Sequence, residues 1–257
     1  MSSARKIALV AGVLFLITFI TSIPALFIFY APVLHNPHYI LGGGGATGVQ
    51  WGAFLEMILI IANIGNAVVL FPILKRVNEI LALGYVTARI IESAFIAVGL
   101  LSLLTIVTLR QGAAGADAAS LITAGKSLVA LHDWTFLLGP GFVVGIGNGL
   151  ILGYLMYTSR LVPRAMAMLG LIGGPLIIAS GVGVLFGVIE AGGGWQVIAT
   201  IPEFFWELLL GIWLIVKGFD RSALASLSTT ADDDGVLTGV EQPAVVPSNG
   251  HRSPSNV

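Results

Sequence analysis

Seven side chains that ordinarily seek water stand inside long apolar stretches of this sequence: Glu56, Arg89, Glu92, His132, Asp133, Glu203 and Glu207. Their types fit proton or cation chemistry. A carboxyl group in an apolar interior can hold a proton or a cation, an arginine supplies a permanent positive charge, and a histidine titrates near neutral pH. Arg89 and Glu92 are three apart and can pair on one helix face, whereas Glu203 and Glu207 are four apart and repel if both are ionised. Relief must come from Arg89, from a protonated carboxyl or from a bound cation. Five carboxyls face one arginine and one histidine in this set, so complete mutual neutralisation is out of reach if all five are charged.

The elements that must position these groups follow from composition. Of 257 residues, 56% are apolar, another 33 are glycine and only 10% are charged, against about 25% charged in an ordinary soluble domain. The mean hydropathy is +0.97. A soluble globular domain, a disulfide scaffold and a disordered chain are all excluded. With no cysteine there is no thiolate nucleophile and no cysteine-ligated metal. A net charge of -1, with basic residues confined to segment boundaries, argues against nucleic acid as a partner.

A spanning helix needs about 20 mostly apolar residues, and six stretches qualify: about 7-30, 49-74, 80-108, 127-157, 165-189 and 196-217. Their runs are continuous rather than alternating, which speaks for helices over strands. The expected fold is an all-α, six-helix polytopic membrane protein over 1-217, whose partner is the lipid bilayer. The excess length of the third and fourth stretches implies tilt, kinks or extension into water. Residues 218-257, rich in Ser, Thr, Pro and Gly and carrying Asp232-Asp233-Asp234, read as a disordered cytoplasmic tail.

Basic residues set the expected orientation. Arg5, Lys6, Lys75, Arg76, Arg160, Arg164, Lys217 and Arg221 fall on one side of the six spans, and only Arg110 and Lys126 on the other. The basic side is expected in the cytoplasm, with both termini there. Trp51, Trp134 and Trp195 then sit near the outer ends of helices two, four and six, as amphipathic rings prefer.

Depth follows from a rise of about 1.5 Å per residue: Glu56, Asp133 and Glu203 come out roughly 9-11 Å below the outer ends, Glu92 at about 12 Å, and Arg89 and Glu207 at about 16-17 Å. The groups are expected to share one layer. Facing lipid, each would cost about 2.5-3.5 kcal/mol at the centre, so they are expected to face inward, into a common cluster or a water-filled cavity.

Gly141, Gly145, Gly149 and Gly153 form a ladder at i+4 spacing in helix four, and helix five is also glycine-rich. Such spacing predicts close packing of the two helices. The interruption Gly139-Pro140-Gly141 is a candidate hinge. Other signals are weak. His35-Asn36-Pro37-His38 offers two histidines three apart without a third ligand, and Gly42-Gly43-Gly44-Gly45 lacks the context of a phosphate loop. There is no HExxH, GxSxG or P-loop, so no enzyme, metal centre or cofactor is expected.

The opening RKIALVAGVLFLITFITSI, the segment ILALGYVTARIIESAFIAVGLLSLL with Arg89 and Glu92, and the later VPRAMAMLGLIGG resemble the bacterial membrane proteins grouped as domain-of-unknown-function family 4386. The resemblance spans roughly residues 5-217 and implies a six-helix protein of a bacterial plasma membrane, with no activity to carry over. The residues themselves suggest a small transporter or ion-coupled permease, with the carboxylate and arginine site in the outer half of the bundle taking a proton or a small cationic solute. The alternative is a non-catalytic membrane component that binds lipid or a partner protein and uses the charged layer only for structure.

Overall fold

The computed structural model describes residues 2-42, 46-112, 115 and 117-227. Positions 43-45 of the glycine run and the tail from 228 onward, with its acidic run, lie outside the described residues. Six helices are long and apolar enough to cross a membrane: α1 Ser3–Phe29, α2 Ala46–Leu74, α3 Glu79–Gln111, α4 Ala118–Ser159, α5 Arg164–Leu185 and α6 Gly194–Val216. No strand occurs among the described residues. Apolar side chains such as Ile20, Phe27, Ile61, Leu101, Val197 and Val216 point outward and are exposed. A soluble protein would bury them, so this is an integral membrane protein.

Local chemistry sets the helix starts. Asn78 accepts a hydrogen bond from the Leu81 amide at 2.9 Å to begin α3, and Asp117 accepts from the Ser120 amide and hydroxyl, both at 2.8 Å, to begin α4. These bonds hold the Asp117 carboxyl below the usual carboxylate range, the amide donor contributing most. Each cap satisfies amides that the first helical turn leaves without an intrahelical acceptor.

The helices form a closed ring in which each packs against its sequence neighbours and α6 returns to α1. At the end that carries residues 2 and 227 the ring is filled by Phe15, Leu70, Tyr85, Leu152, Trp206 and Leu210, all fully buried. Arg5 ties the ring shut there, donating to the carbonyls of Leu214 at 2.8 Å and Ile215 at 2.5 Å. These carbonyls belong to the last turn of α6, where a cation also meets the negative end of the helix dipole.

The packed region continues beyond residue 217, into the stretch expected to be a disordered tail. Gly218 turns the chain with φ +77 beside the Arg5 guanidinium, the Asp220 amide donates to the Leu161 carbonyl at 2.9 Å, and residues 221-227 are helical. Phe219 and Ala223 are buried against the core. Phe219 and Ala223, with Leu224 and Leu227 packed beside them, anchor this segment.

At the opposite end, α3 and α4 outrun the membrane. At about 1.5 Å per residue, the 42 residues of α4 reach on the order of 60 Å, twice the hydrocarbon thickness. The overhang packs with the 31-41 connection: Val33, Tyr39 and Ile40 meet Leu103, Ile106 and Val107 in a second small core. Trp51, Trp134 and Trp195 are exposed toward this end, as their places in the sequence predict.

Between Leu137 and Leu152, α4 winds as two π-helical stretches, Leu137–Val143 and Gly145–Leu152, which continue the helix through Pro140. The Val144 amide reaches back five residues to the Gly139 carbonyl. This stretch is thin on two sides. A methyl group added at Gly145 would lie 2.6 Å from Ile177 Cγ2 and 2.8 Å from the Gly174 carbonyl on α5, and one at Gly149 would lie 2.4 Å from Gly174 Cα. On the α3 side, a methyl group at Gly147 would lie 2.8 Å from Ala88 Cβ. Gly153 also faces α5, 3.2 Å from the Leu171 amide by the same measure. Gly141 does not join the contact: a methyl group there would meet only its own helix, 3.5 Å from the Phe136 carbonyl. The two π-helical stretches meet at Val144, and above that point Phe142 rather than Gly141 is turned toward α5, beside Gly181.

The glycine faces give a prediction with two signs. Gly149→Ala and Gly145→Ala should destabilise the protein by about 1-3 kcal/mol through overpacking. Gly141→Ala should be neutral or gain up to about 1 kcal/mol, since alanine is the better helix former. Thermal unfolding in detergent distinguishes the three. Equal melting of all three variants would refute the close crossing of α4 and α5.

Candidate functional site

Inside the ring lies a cavity of about 190 Å³ to which all six helices contribute. It runs from Asn63, Arg89 and Glu207 toward the end that carries the 31-41 connection, where Leu26, Phe136 and Thr200 line it. Glu56, Glu92, Glu203 and Glu207 all line this one cavity with Arg89. Four of the five predicted carboxyls and the arginine therefore meet.

Arg89 is the hub. Its side chain is buried, Nη1 donates to Glu92 Oε2 at 2.8 Å, and Nη2 donates to Asn63 Oδ1 at 2.6 Å. Asn63 closes a triangle, since its Nδ2 donates to Glu92 Oε1 at 3.2 Å. The Glu207 carboxylate stands 3.9 Å from Arg89 Nη1 and also accepts from Asn148 Nδ2. Asn148 is in turn held through its main-chain carbonyl, which accepts from Trp206 Nε1 at 3.0 Å. The indole lies flat on Gly170, where a methyl group would come within 2.7 Å of Nε1. Helix proximity thus fixes Trp206, Trp206 fixes Asn148, and Asn148 fixes Glu207.

Glu56 is satisfied separately. It accepts from the Tyr30 hydroxyl at 2.8 Å, and Tyr30 packs edge-on against His132 with ring centroids 5.8 Å apart. His132 is buried over Gly99 and stacks on Phe136. It stands beside the cavity as the next group behind Tyr30.

Asp133 departs from the predicted layer. Its side chain is 64% exposed, and it lines a separate hollow with Asn36, Tyr39 and Lys126 at the overhanging end. Two causes combine. Neighbouring residues on a helix point about 100° apart, so with His132 turned inward Asp133 must turn out. The helix also begins at Ala118, well before the predicted 127, which changes the depth assigned to its residues.

Glu203 differs from the other three carboxyls. It is only 3% exposed, yet neither carboxyl oxygen has a hydrogen-bond partner. Its Oε2 fits against the glycine crossing of α4 and α5: a methyl group on Gly149 or on Gly173 would lie 2.9 Å from it. The glycines that bring the helices together also leave the slot that this carboxyl occupies.

Sequence reasoning missed Asn63, Tyr30 and Trp206 as members of the network. Asn63 lies seven residues after Glu56 in α2, two helical turns along the same face, and that spacing of a polar residue in an apolar run was the available signal. For Asn148 the available signal is the Ile-Gly-Asn triplet at 146-148, which also occurs at 64-66. Nothing local marks Tyr30 or Trp206.

Removing one member of a buried ion pair leaves an uncompensated charge, which typically costs about 3-5 kcal/mol. Arg89→Ala should therefore unfold well below the wild type. Adding Glu92→Gln should recover more of the loss than adding Glu207→Gln, because Glu92 is the nearer partner. Melting temperatures of the single and double variants in detergent check the order, and an Arg89→Ala protein as stable as the wild type would remove Arg89 from the centre of the network.

The family model described as Domain of unknown function (DUF4386) matches residues 10-218. Among curated proteins and among solved structures no match is found. The matched span contains every residue of the cavity and the hydrogen-bonded network around Arg89. This chain accordingly belongs to the family of the domain of unknown function DUF4386.

Proposed function

We propose that the protein is a small transporter or ion-coupled permease of a bacterial plasma membrane, with its site in the outer half of the helix ring. One observation carries the reading: four carboxyls and a single guanidinium line a cavity shared by all six helices. A network serving only stability gains little from surplus carboxyls beside open space, since each is costly away from water. A site that takes up and releases a proton or a small cation needs both the surplus and the space. The close packing of Phe15, Leu70, Tyr85 and Trp206 below Arg89 fits a state closed toward the termini and accessible from the other end.

The excess of Lys and Arg at the end carrying the termini supports a cytoplasmic location for both. The chain has no cysteine, so single-cysteine labelling tests this directly. Asn36→Cys should react with an impermeant maleimide in intact cells and Arg221→Cys should not; the reverse pattern inverts the topology.

Transport is tested with proteoliposomes adsorbed on a capacitive membrane sensor. Jumps in pH, in sodium or potassium, or in small amines should evoke transient currents for at least one of these, absent from empty liposomes. Glu207→Gln should reduce them by about tenfold or more, as expected when an intramembrane ionisable group carries the function. Protein without current under every gradient would instead favour the non-transporting membrane component.

A further inference from the structure

We propose that the cavity binds a small organic monocation, an ammonium group bearing hydrocarbon substituents, and that Glu203 is the carboxylate that receives it. This rests on the reading of the cavity as a cation site and names the class of cation. The four carboxyls are not equivalent. Glu56 accepts from Tyr30, Glu92 accepts from Arg89 and Asn63, and Glu207 accepts from Asn148 beside Arg89. Glu203 alone among them is buried with both oxygens unpartnered. No donor of the chain lies within hydrogen-bonding distance of either oxygen, and a buried carboxylate left so is costly. The missing partner is a donor or a positive charge from outside the chain.

The surroundings select the kind of cation. Calcium takes about 6-8 oxygen ligands and zinc about four ligands, whereas no three His, Asp or Glu side chains among the described residues are placed to share a metal ion. Besides its carboxyls, Arg89, Asn63 and the hydroxyls of Thr18, Ser22 and Thr200, the cavity is lined by apolar side chains that include Phe19, Phe136, Val144, Ile177 and Phe204. Phe19 and Phe204 meet edge to face with centroids 5.1 Å apart, spanning α1 and α6. Aromatic rings around one anionic group are the surroundings that alkylammonium ions favour, by cation–π attraction and by burial of their carbon atoms. Size agrees. A cavity of about 150 Å³ suffices for benzene, and this one measures about 190 Å³, room for a compact amine of similar bulk.

The test uses the full-length protein in lipid nanodiscs and titration calorimetry with phenyltrimethylammonium, which has no proton to give. Its neutral carbon isostere, tert-butylbenzene, is titrated in parallel, and empty nanodiscs are subtracted. The cation should bind at least about tenfold more tightly than the isostere, since charge is the only difference between them. Glu203→Gln should remove that preference, while Asp133→Asn, in the separate hollow, should leave it within about twofold. The isostere pair needs no variant, so a Glu203→Gln protein that fails to fold does not rescue the proposal. Equal binding of the two probes, no binding of the cation, or an unchanged preference in Glu203→Gln overturns it. Currents evoked by protons or metal ions without binding of phenyltrimethylammonium would leave the transport reading standing and remove this one. Binding without current under any gradient, phenyltrimethylammonium included, would do the reverse.

Discussion

A guanidinium held out of water near the middle of an apolar ring is the constraint on which the rest of this structure depends. Arg89 cannot shed its charge, so the fold must bring acceptors to it. Glu92 comes from the same helix, Asn63 from α2, and Glu207 from across the ring on α6. A charge at this depth costs a few kcal/mol when alone, and hydrogen bonds within α3 and to α2, with an ion pair to α6, convert that cost into a cross-link. Helices with little difference in hydrophobicity between their faces have few other means of fixing their rotation in a bilayer, where lipid is as apolar as a leucine side chain.

The second determinant is the thinness of α4. Glycines on both of its sides let α3 and α5 approach backbone to backbone, and the i to i+5 hydrogen bonding between Leu137 and Leu152 carries the chain through Pro140 without a break. π-helical turns are uncommon and are often found where a side chain must be aimed at a functional centre. Here the device places the Asn148 amide on Glu207 and its carbonyl on Trp206. It also leaves room beside Gly149 and Gly173 for the Glu203 carboxyl. Close packing and the polar cavity are therefore two results of one arrangement.

The polar groups differ in how far they are satisfied: Arg89 Nε and Asn148 Oδ1 lack partners though both side chains are otherwise bonded, and among the cavity carboxyls only Glu203 has no partner on either oxygen. Toward the termini, Arg89, Asn63, Glu92 and Asn148 form a bonded floor over packed apolar residues. Toward the other end the cavity walls are aromatic and aliphatic, with Glu56 tied to Tyr30 at the rim and Glu203 left without a partner.

Much of this was legible in the sequence. Six apolar runs, each at least long enough to cross a bilayer, determine six helices whatever their packing, because the backbone has no other way to satisfy its hydrogen bonds in lipid. Depth arithmetic brought Arg89 level with Glu207, since rise per residue is a property of one helix and needs no knowledge of its neighbours. Rotation about the helix axis is different: it is decided by what each face touches. Asp133 therefore turned out while His132 turned in, Gly141 left the ladder that its spacing suggested, and Phe219 and Ala223 drew ten further residues into the fold. The same limit hid Asn63, Tyr30 and Trp206, whose roles exist only through partners on other helices. It also hid the singularity of Glu203, because a missing partner is a property of a place in three dimensions, and the sequence specifies only which group arrives there.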